Sequence, residues 1–368
     1  MNRQLLGTVV TFVLCAAAVV TMPAVSLGAT AAPAASLTST ATSTRTSAPT
    51  PQSAPAATQK AAASAPSQNW WDTDTISQLY PGGLWVNPAS QPATEFSQLQ
   101  AAGNLAVAAT ISQISSQPIA TWLGDSWSNT LLVQKLNADV AAAAAAGKTP
   151  VFVTYAIPDR DCGGYSAGGY TEAQYIQWNQ LIANTLRGHP AVILIEPDSI
   201  AMLGNAACSS ITSDRLALLN TVTQYYAQNQ IAVYLDGGNS NWIKPAVMAQ
   251  RLTQAGVQYA RGFFTNVSNF NPASSEEAYA STLSGLLGGK HFVIDVSRDG
   301  NGSQSSWCNP PGAALGANPS LANGTTGLDA LLWVKTPGSS DGTCNGGPAA
   351  GVWFESYAIS LVNKRAAG

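Results

Sequence analysis

The chain has 368 residues and a formal net charge of −3, and only 10% of its residues are charged. A typical soluble domain carries about 25% charged residues. This composition excludes a nucleic-acid binder that works through a basic face, and the 46% hydrophobic content excludes a charge-rich disordered chain. With only 2 His against 19 Asp+Glu and 10 Trp, chemistry based on carboxylates and aromatic surfaces is favoured.

Residues 1–31 have the pattern of a secretory signal peptide. Arg3 precedes an apolar stretch over 5–22, Pro23 interrupts it, and small residues at 29–31 fit a cleavage site. The alternative is an uncleaved anchor, because the apolar stretch approaches the ~20 residues that cross a bilayer. We therefore expect a secreted, extracellular protein, tethered to the membrane only if this leader is retained.

Residues 32–68 consist almost entirely of Ala, Ser, Thr and Pro. Such a segment cannot bury enough apolar surface to offset its ordering entropy, so we predict a disordered linker. The remainder, 69–368, suits one large domain, since α/β barrels commonly have ~250 residues.

Removal of the leader removes Cys15 and leaves an even number of cysteines. In an exported protein this predicts two disulfides, and the sequence alone leaves the connectivity open. The four residues are Cys162, Cys208, Cys308 and Cys344.

Apolar β-rich segments alternate with helical patterns along the domain, which predicts a parallel sheet with helices outside it. The predicted strands are 105–111, 150–157, 191–195, 231–235, 262–265 and 291–296. The predicted helices are 129–146, 171–187, 213–229, 246–258, 275–288 and 353–363.

Polar residues follow successive predicted strands at the carboxyl end of each. They are Asp159, Arg160, Asp161, Glu196, Asp198, Asp236, Asn266, Asn269, Asp295 and Arg298. One such residue could be a helix cap. Their recurrence after five strands predicts a cleft floored by carboxylates, because the active face of barrel enzymes lies at that end.

Several kinds of site are disfavoured. His189 lies at a helix end and His291 opens a strand, so both are interpreted as structural, which leaves no Ser-His-Asp triad or His-rich zinc site. There is no Gly-rich phosphate loop after a strand. We expect no cofactor and no metal, although carboxylates alone leave a magnesium site open.

Carboxylate pairs without histidine or metal indicate glycoside hydrolysis, in which one carboxyl stays protonated while another assists water or attacks. Neighbouring charge and burial separate the pKa values of such groups. Tryptophans near loops can provide flat surfaces for sugar rings; the candidates are Trp122, Trp242, Trp307 and Trp333.

Two long motifs resemble signatures of glycoside hydrolase family 6: Tyr-Ala-Ile-Pro-Asp-Arg-Asp-Cys-Gly-Gly-Tyr from Tyr155, and Val-Ile-Leu-Ile-Glu-Pro-Asp-Ser-Ile at 192–200. Shorter matches follow in order at 234–238, 298–302, 307–308, 333–335 and 341–342. The resemblance covers nearly all of 70–365. It implies a secreted, inverting β-1,4-glucanase whose catalytic domain, 69–368, is a distorted (β/α) barrel of about seven parallel strands with the active site at their C-terminal ends.

The resemblance also implies roles for individual residues. Asp198 is similar to the general acid, Asp161 to the neighbour that raises its pKa and can relay a proton, and Asp341 to the proposed catalytic base, an assignment contested in the family. Tyr155 is similar to a tyrosine that favours sugar distortion. With the strand-end residues, the substrate-binding and supporting set is Tyr155, Arg160, Trp122, Asp236, Trp242, Asn266, Arg298, Trp307 and Lys335. Of these, Trp122, Trp307 and Lys335 are similar to residues that bind glucose on the non-reducing side. The implied disulfides are Cys162–Cys208 and Cys308–Cys344.

Two residues depart from the family pattern, since Ser339 replaces a common glutamate and Asn239 a common histidine. Both predict altered sugar binding near the cleavage point. Short segments after Arg298 and around Cys344 favour an open cleft and internal cutting.

We therefore expect a monomeric endo-β-1,4-glucanase that acts on β-1,4-glucan or cello-oligosaccharides, with no nucleic-acid partner and no membrane partner once the leader is cleaved. The alternatives are a β-glucan-binding protein with weakened or lost catalysis, a cellobiohydrolase, and a mixed-linkage glucanase.

Overall fold

The computed structural model describes Trp71 and residues 75–324 and 326–365. The predicted secretory leader, 1–31, and the predicted linker, 32–68, lie outside the described residues. None of the helices in the described ranges has the length and apolar character required to cross a bilayer.

One eight-stranded sheet forms the centre of the domain, in the order β1-β2-β3-β4-β5-β6-β8-β7. The strands are β1 Thr121–Gly124, β2 Val151–Tyr155, β3 Val192–Ile195, β4 Ala232–Asp236, β5 Gly262–Thr265, β6 His291–Asp295, β7 Ser320–Leu321 and β8 Leu328–Leu332. All neighbours pair in parallel except β7, which lies antiparallel on β8.

The sheet curls until its first and seventh positions meet. Ile119, just before β1, bridges in parallel to Trp333, just after β8, and the Ala120 N–H donates to the Trp333 carbonyl at 3.0 Å. This confirms the predicted α/β fold, a distorted barrel with seven parallel strands.

Nine helices within the described residues cover the sheet. They are α1 Ile76–Leu79, α2 Gln91–Ala101, α3 Leu105–Ser115, α4 Asn129–Ala145, α5 Glu172–Leu186, α6 Thr212–Gln228, α7 Pro245–Gln254, α8 Ala273–Leu286 and α9 Glu355–Asn363. Local capping defines several starts. At α5, the Gln174 N–H donates to Thr171 Oγ1 at 3.4 Å and the Thr171 N–H donates to Gln174 Oε1 at 3.1 Å, a capping box.

The prediction of a strand at 105–111 is wrong, because this segment begins helix α3. Its buried residues are Ala108, Ile111 and Ile114, spaced three apart as on one helix face, while Leu105 is exposed. A short apolar run does not distinguish a strand from a buried helix. The first strand is β1, and the sequence analysis predicts none of β1, β7 and β8. The remaining five predicted strands and the six predicted helices are confirmed with small shifts at their ends.

Apolar side chains fill both sides of the sheet. On β3, Val192 and Leu194 point into the barrel and Ile193 and Ile195 point to the outer helices, since each pair belongs to a different buried cluster. This alternation explains why the strand is apolar at every position. The interior cluster also contains Trp71 and Tyr80, so the segment before the barrel helps to fill it.

A buried polar cluster lies at the N-terminal ends of β5, β6 and β8. Asp329 accepts from Arg261 Nε at 2.8 Å, from His291 Nδ1 at 2.9 Å and from Tyr234 Oη at 2.6 Å. Burial acts to raise the pKa of Asp329, but the hydrogen bonds from Arg261 and His291 hold it below its ordinary value. His291 is therefore structural, at the end of the barrel opposite the strand C-termini.

Replacing Asp329 by Ala is expected to reduce the free energy of unfolding by about 3–5 kcal/mol, because it leaves the buried Arg261 guanidinium without its anion. Urea unfolding followed by tryptophan fluorescence measures this. Glu277→Ala, at an exposed position on α8, is the control and should change stability little. Equal effects of the two substitutions would contradict a stabilising role for the cluster.

Candidate active site

A cleft of about 1140 Å³ lies at the C-terminal ends of the strands. Most of the predicted site residues line it: Trp122, Tyr155, Arg160, Asp161, Asp198, Trp242, Trp307, Lys335 and Asp341. The others, Asp236, Asn266 and Arg298, are buried and are not part of its lining. The predicted strand-end residues therefore divide into those that face the cleft and those that support it.

Asp236 at the end of β4 holds the turn that carries Asp198. Its Oδ2 accepts the N–H groups of Ile200 and Ala201, both at 2.9 Å, and its Oδ1 accepts the Gly238 N–H at 2.9 Å. Charge-assisted bonds of this kind are strong. Asp236 therefore acts on Asp198 through the backbone as well as through its charge.

Glu196 and Asp295 have the same role at other strands. Glu196 is fully buried and accepts the N–H groups of Ala156 and Ile157 after β2. Asp295 accepts the N–H groups of Ser268 after β5 and of Lys335 after β8, at 3.3 and 3.0 Å.

Asn266 adds a bond between strand ends. Its Nδ2 donates to the Asp295 carbonyl at 3.0 Å and to the Asn271 carbonyl at 2.9 Å. These supporting side chains connect neighbouring strand ends and leave the cleft lining to other residues.

Among the carboxyl groups that line the cleft, that of Asp198 has the most strongly shifted pKa. It is half-buried in a left-handed turn, with φ of 71°. Burial, followed by the negative charges of Asp236 and Asp161, raises the pKa of Asp198 to about 8. The sequence interpretation named Asp161 as the neighbour responsible, whereas Asp236 has the larger effect. The Asp198 carboxyl is therefore protonated at neutral pH.

Asp161 lies on a strained turn after β2. Asp161 has φ of 59° and Cys162 of 45°, a region that non-glycine residues rarely occupy. The Cys162–Cys208 disulfide, with a Cα–Cα distance of 5.7 Å, restrains this turn. The Ser166 N–H donates to the Asp161 carboxylate at 2.7 Å, which fixes its orientation.

Arg215 on α6 also supports this turn. Its Nη2 donates to the Pro158 and Asp159 carbonyls at 2.7 and 2.8 Å. Gly164 is required here, because a Cβ at that position would lie 2.4 Å from the nearer Asp161 carboxylate oxygen. Strained backbone of this kind persists only where its surroundings over-determine it.

Asp341 is in the opposite electrostatic environment. Its carboxylate is 2.7 Å from Arg298 Nη1 and 3.0 Å from Lys335 Nζ, and it accepts the Asn309 N–H at 2.9 Å. Although burial acts to raise it, the charges of Arg298 and Lys335 lower the pKa of Asp341 to about 2. Asp341 is thus a stable anion and a weak base.

Arg298 is fully buried behind Asp341. Its guanidinium lies 4.4 Å from the centre of the Phe270 ring and donates to the Ser268 carbonyl. The loops that carry Asp341 and Asn309 are joined near the cleft by the second implied disulfide, Cys308–Cys344, with a Cα–Cα distance of 6.1 Å. Both pairings implied by the family resemblance are therefore present.

Aromatic rings form one wall of the cleft. The rings of Trp122 and Tyr155 meet edge to face at 5.1 Å, and the Trp122 indole N–H donates to the Val334 carbonyl at 2.8 Å. Arg160 lies 4.7 Å from the centre of the Tyr155 ring and pairs with Asp125 at 3.1 Å. These contacts fix rings of the type that bind sugar faces.

The other predicted tryptophans differ in exposure. Trp242 and Trp307 are 38% and 56% exposed and line the cleft, while Trp333 is fully buried. The Trp333 indole N–H donates to the Ala317 carbonyl, so of the four candidate tryptophans Trp333 is a core residue and not a sugar-binding surface. Trp307 also contacts Tyr165 at 5.8 Å between ring centres, and since Tyr165 is 54% exposed, this contact joins two surface side chains.

The sequence analysis missed a group of amide residues in the cleft. Asn241 and Asn271 line it together with Asn239 and Ser303. Asn241 and Asn271 follow β4 and β5, so the strand-end signal extended to them. Within the described ranges, no group of three or more His, Cys, Asp or Glu residues is arranged to hold a metal ion.

Replacing Asp236 by Asn is expected to lower the pKa of Asp198, because the largest neighbouring charge that raises it is removed. The carboxyl ¹³C chemical shift of Asp198 followed against pH measures this. Glu172→Gln, exposed at the start of α5, should leave the titration unchanged. An unaltered Asp198 titration in the Asp236 variant would show that the Asp236 charge does not raise the pKa of Asp198.

Comparison with known proteins identifies the family and the fold. The sequence profile described as Glycosyl hydrolases family 6 matches residues 80–365. The chain is 44% identical to Endoglucanase A of Cellulomonas fimi over 280 residues, 76% of this chain and 60% of that protein. It is 36% identical to Endoglucanase 1 of Streptomyces halstedii over 314 residues, 82% of this chain and 94% of that protein.

A solved structure agrees with these sequence relatives. The endoglucanase Cel6 from Mycobacterium tuberculosis, in complex with methyl-cellobiosyl-4-deoxy-4-thio-β-D-cellobioside, matches with a TM-score of 0.71 and 37% identity. The match covers 77% of this chain and 97% of that chain. The profile match over most of the domain, together with these relatives, establishes that the chain belongs to glycosyl hydrolase family 6.

Proposed function

We propose that this chain is an endo-β-1,4-glucanase that hydrolyses internal β-1,4-glucosidic bonds with inversion. The observation that carries the proposal is Asp198, an acid whose pKa is raised to about 8 by burial and by Asp236 and Asp161. Its carboxyl holds a proton at neutral pH while Asp341, in the same cleft, stays ionised. Glycoside hydrolysis requires one protonated and one ionised carboxyl group.

In this mechanism Asp198 donates its proton to the departing glycosidic oxygen as the bond to the anomeric carbon breaks. Water attacks the opposite face of the ring, which inverts the configuration. A carboxylate with a pKa of about 2 accepts a proton poorly, so we assign Asp341 the role of a fixed anion near the developing positive charge. Asp161 accepts the proton of the attacking water and passes it to the solvent in the cleft, and before this step its charge helps to keep Asp198 protonated.

The proposed substrate is a β-1,4-glucan or a cello-oligosaccharide. Trp122, Tyr155, Trp242 and Trp307 offer rings to sugar faces along the cleft. Relatives that share 36% and 44% identity are named endoglucanases. Internal cutting is supported by the endoglucanase names of these relatives and by the short segments after Arg298 and around Cys344, which leave little room for loops that enclose the cleft.

We propose that the protein is extracellular, with 1–31 as its leader, 32–68 as a linker, 69–368 as the catalytic domain, and one chain as the active unit. Two disulfides within the domain support an oxidising compartment. The chain spans 60% of the length of the Cellulomonas fimi relative, so activities of other regions of that protein are not transferred.

Replacing Asp198 by Asn is expected to lower hydrolysis of carboxymethylcellulose by roughly 10²–10⁴-fold, because the variant cannot donate the proton. The experiment follows viscosity and reducing ends together. Wild-type protein should reduce viscosity rapidly with few ends released. Glu172→Gln is the control.

Near-normal activity of the Asp198 variant would refute the acid assignment. Oligosaccharide binding by the wild type without any release of reducing ends would favour the alternative of a glucan-binding protein. Proton NMR of fresh product should detect the α-anomer first, and a β-anomer would contradict inversion.

The pH profile gives a second prediction. Because Asp198 must be protonated and its pKa is raised to about 8, kcat/KM should fall as the pH rises through that value. In an Asp161→Asn variant the Asp198 pKa decreases, so the descending limb should move to lower pH even though the maximal rate also falls. A limb that stays in place in this variant would exclude a charge effect of Asp161.

A further inference from the structure

The geometry points to Glu276, a buried residue that does not line the cleft, as a positioning residue for binding of the leaving-side sugar. We define the amide array as Asn239, Asn241 and Asn271, which all line the cleft. Glu276 sets which hydrogen-bonding atoms this array presents to substrate. The inference rests on the proposed glucanase function.

Glu276 lies in the first turn of α8 and is fully buried. Its Oε1 accepts the Ser240 backbone N–H at 2.9 Å and Asn271 Nδ2 at 3.0 Å. A backbone N–H can only donate, so Oε1 is an acceptor whatever the protonation of the second oxygen. Asn271 therefore must turn its amide nitrogen, and not its oxygen, toward Glu276.

This orientation propagates to the cleft. Asn271 Oδ1 faces the other way and accepts Asn241 Nδ2 at 2.7 Å and Ser303 Oγ at 2.9 Å. Asn239 Oδ1 accepts Asn271 Nδ2 and the Asn241 backbone N–H, both at 3.1 Å. Every amide in the array thus has a single orientation, determined by two backbone N–H groups and one carboxylate.

Two atoms of the array remain available. Within the described residues, no hydrogen bond uses the Nδ2 of Asn239 or the Oδ1 of Asn241. Both residues line the cleft, so the array offers a donor from Asn239 and an acceptor from Asn241. A sugar hydroxyl can both donate and accept, so a fixed donor–acceptor pair selects how a ring is oriented.

The position of the array assigns it to the leaving side of the cleft. Asp198 follows β3, and the array follows β4 and β5. Trp122 on β1 and Lys335 after β8 lie on the other side of Asp198 in strand order, where those strands join. Since the family resemblance puts Trp122 and Lys335 on the non-reducing side, the array meets the sugar that departs.

The cost of burying Glu276 supports a role beyond packing. Its Oε2 has no hydrogen-bond partner within the described residues although it is fully buried. An unpaired buried polar atom destabilises a fold, and an apolar side chain would avoid this penalty. The carboxyl instead supplies the acceptor that orients Asn271.

The test compares two cleavages that share three sugars on the non-reducing side and differ on the leaving side: the cutting of cellohexaose into two cellotriose molecules, and the release of p-nitrophenol from p-nitrophenyl β-D-cellotrioside. Cellohexaose places a sugar there, and p-nitrophenyl β-D-cellotrioside places a phenol without sugar hydroxyls. Glu276→Leu removes the acceptor and is expected to lower kcat/KM on cellohexaose about tenfold, mainly through KM, and to change the aryl substrate less than about twofold. Glu276→Gln keeps an acceptor oxygen and should retain both rates.

Glu277→Leu, the same substitution at the exposed neighbouring position, is the matched control and should leave both rates unchanged. Asn239→Ala removes the presented donor without altering Glu276 and should reproduce the selective loss on cellohexaose. It keeps the inference testable if Glu276→Leu does not fold.

An equal loss of kcat/KM on both substrates in Glu276→Leu, with a lower melting temperature, would show that Glu276 has only a structural role and would overturn the inference. Unchanged cellohexaose kinetics in Glu276→Leu or Asn239→Ala would also overturn it. Inactivity of the wild type on both substrates would instead contradict the proposed function. In that case the binding of cellohexaose, measured by calorimetry, tests the role of Glu276. Binding to Glu276→Leu is expected to be about tenfold weaker than binding to the wild type.

Discussion

Buried acidic side chains that accept backbone N–H groups from a neighbouring strand end determine the shape of the cleft. Glu196 holds the segment after β2, Asp236 the turn after β3, and Asp295 the segments after β5 and β8. Each bond joins residues far apart in sequence and orients a loop that carries cleft residues. Because a buried carboxylate needs several donors, these loops and these acids stabilise one another.

The same acids set the chemistry of the cleft. Asp236 positions the Asp198 turn and also raises the pKa of Asp198, so one side chain serves geometry and protonation together. Asp341 has the reverse environment, because Arg298 and Lys335 lower its pKa. Environments that separate the pKa values of neighbouring carboxyls allow one to act as an acid while another remains charged. An aspartate isolated in water would show neither the raised pKa of Asp198 nor the lowered pKa of Asp341.

The two ends of the barrel differ in physical character. At the N-terminal end, Asp329 and Arg261 form a satisfied buried pair among apolar residues. At the C-terminal end, Asp161, Cys162 and Asp198 occupy left-handed backbone conformations. Such strain concentrates at functional sites and persists because other interactions over-determine it. Here the disulfide at Cys162 and the acceptor bonds of Asp236 supply those interactions.

The sequence by itself determined the alternation of strands and helices and the acidic residues at the strand ends, since periodicity is a local property of the chain, and the resemblance of its motifs to family 6 implied that Asp198 is the acid. It could not distinguish the helix at 105–111 from a strand, because a short apolar run fits both. Only the tertiary structure decided that Trp333 is buried, that Asp236 perturbs Asp198 more than Asp161 does, and that Glu276 orients the amide array. Burial, electrostatic coupling and hydrogen-bond polarity depend on distances between residues that are remote in sequence, and folding alone sets those distances.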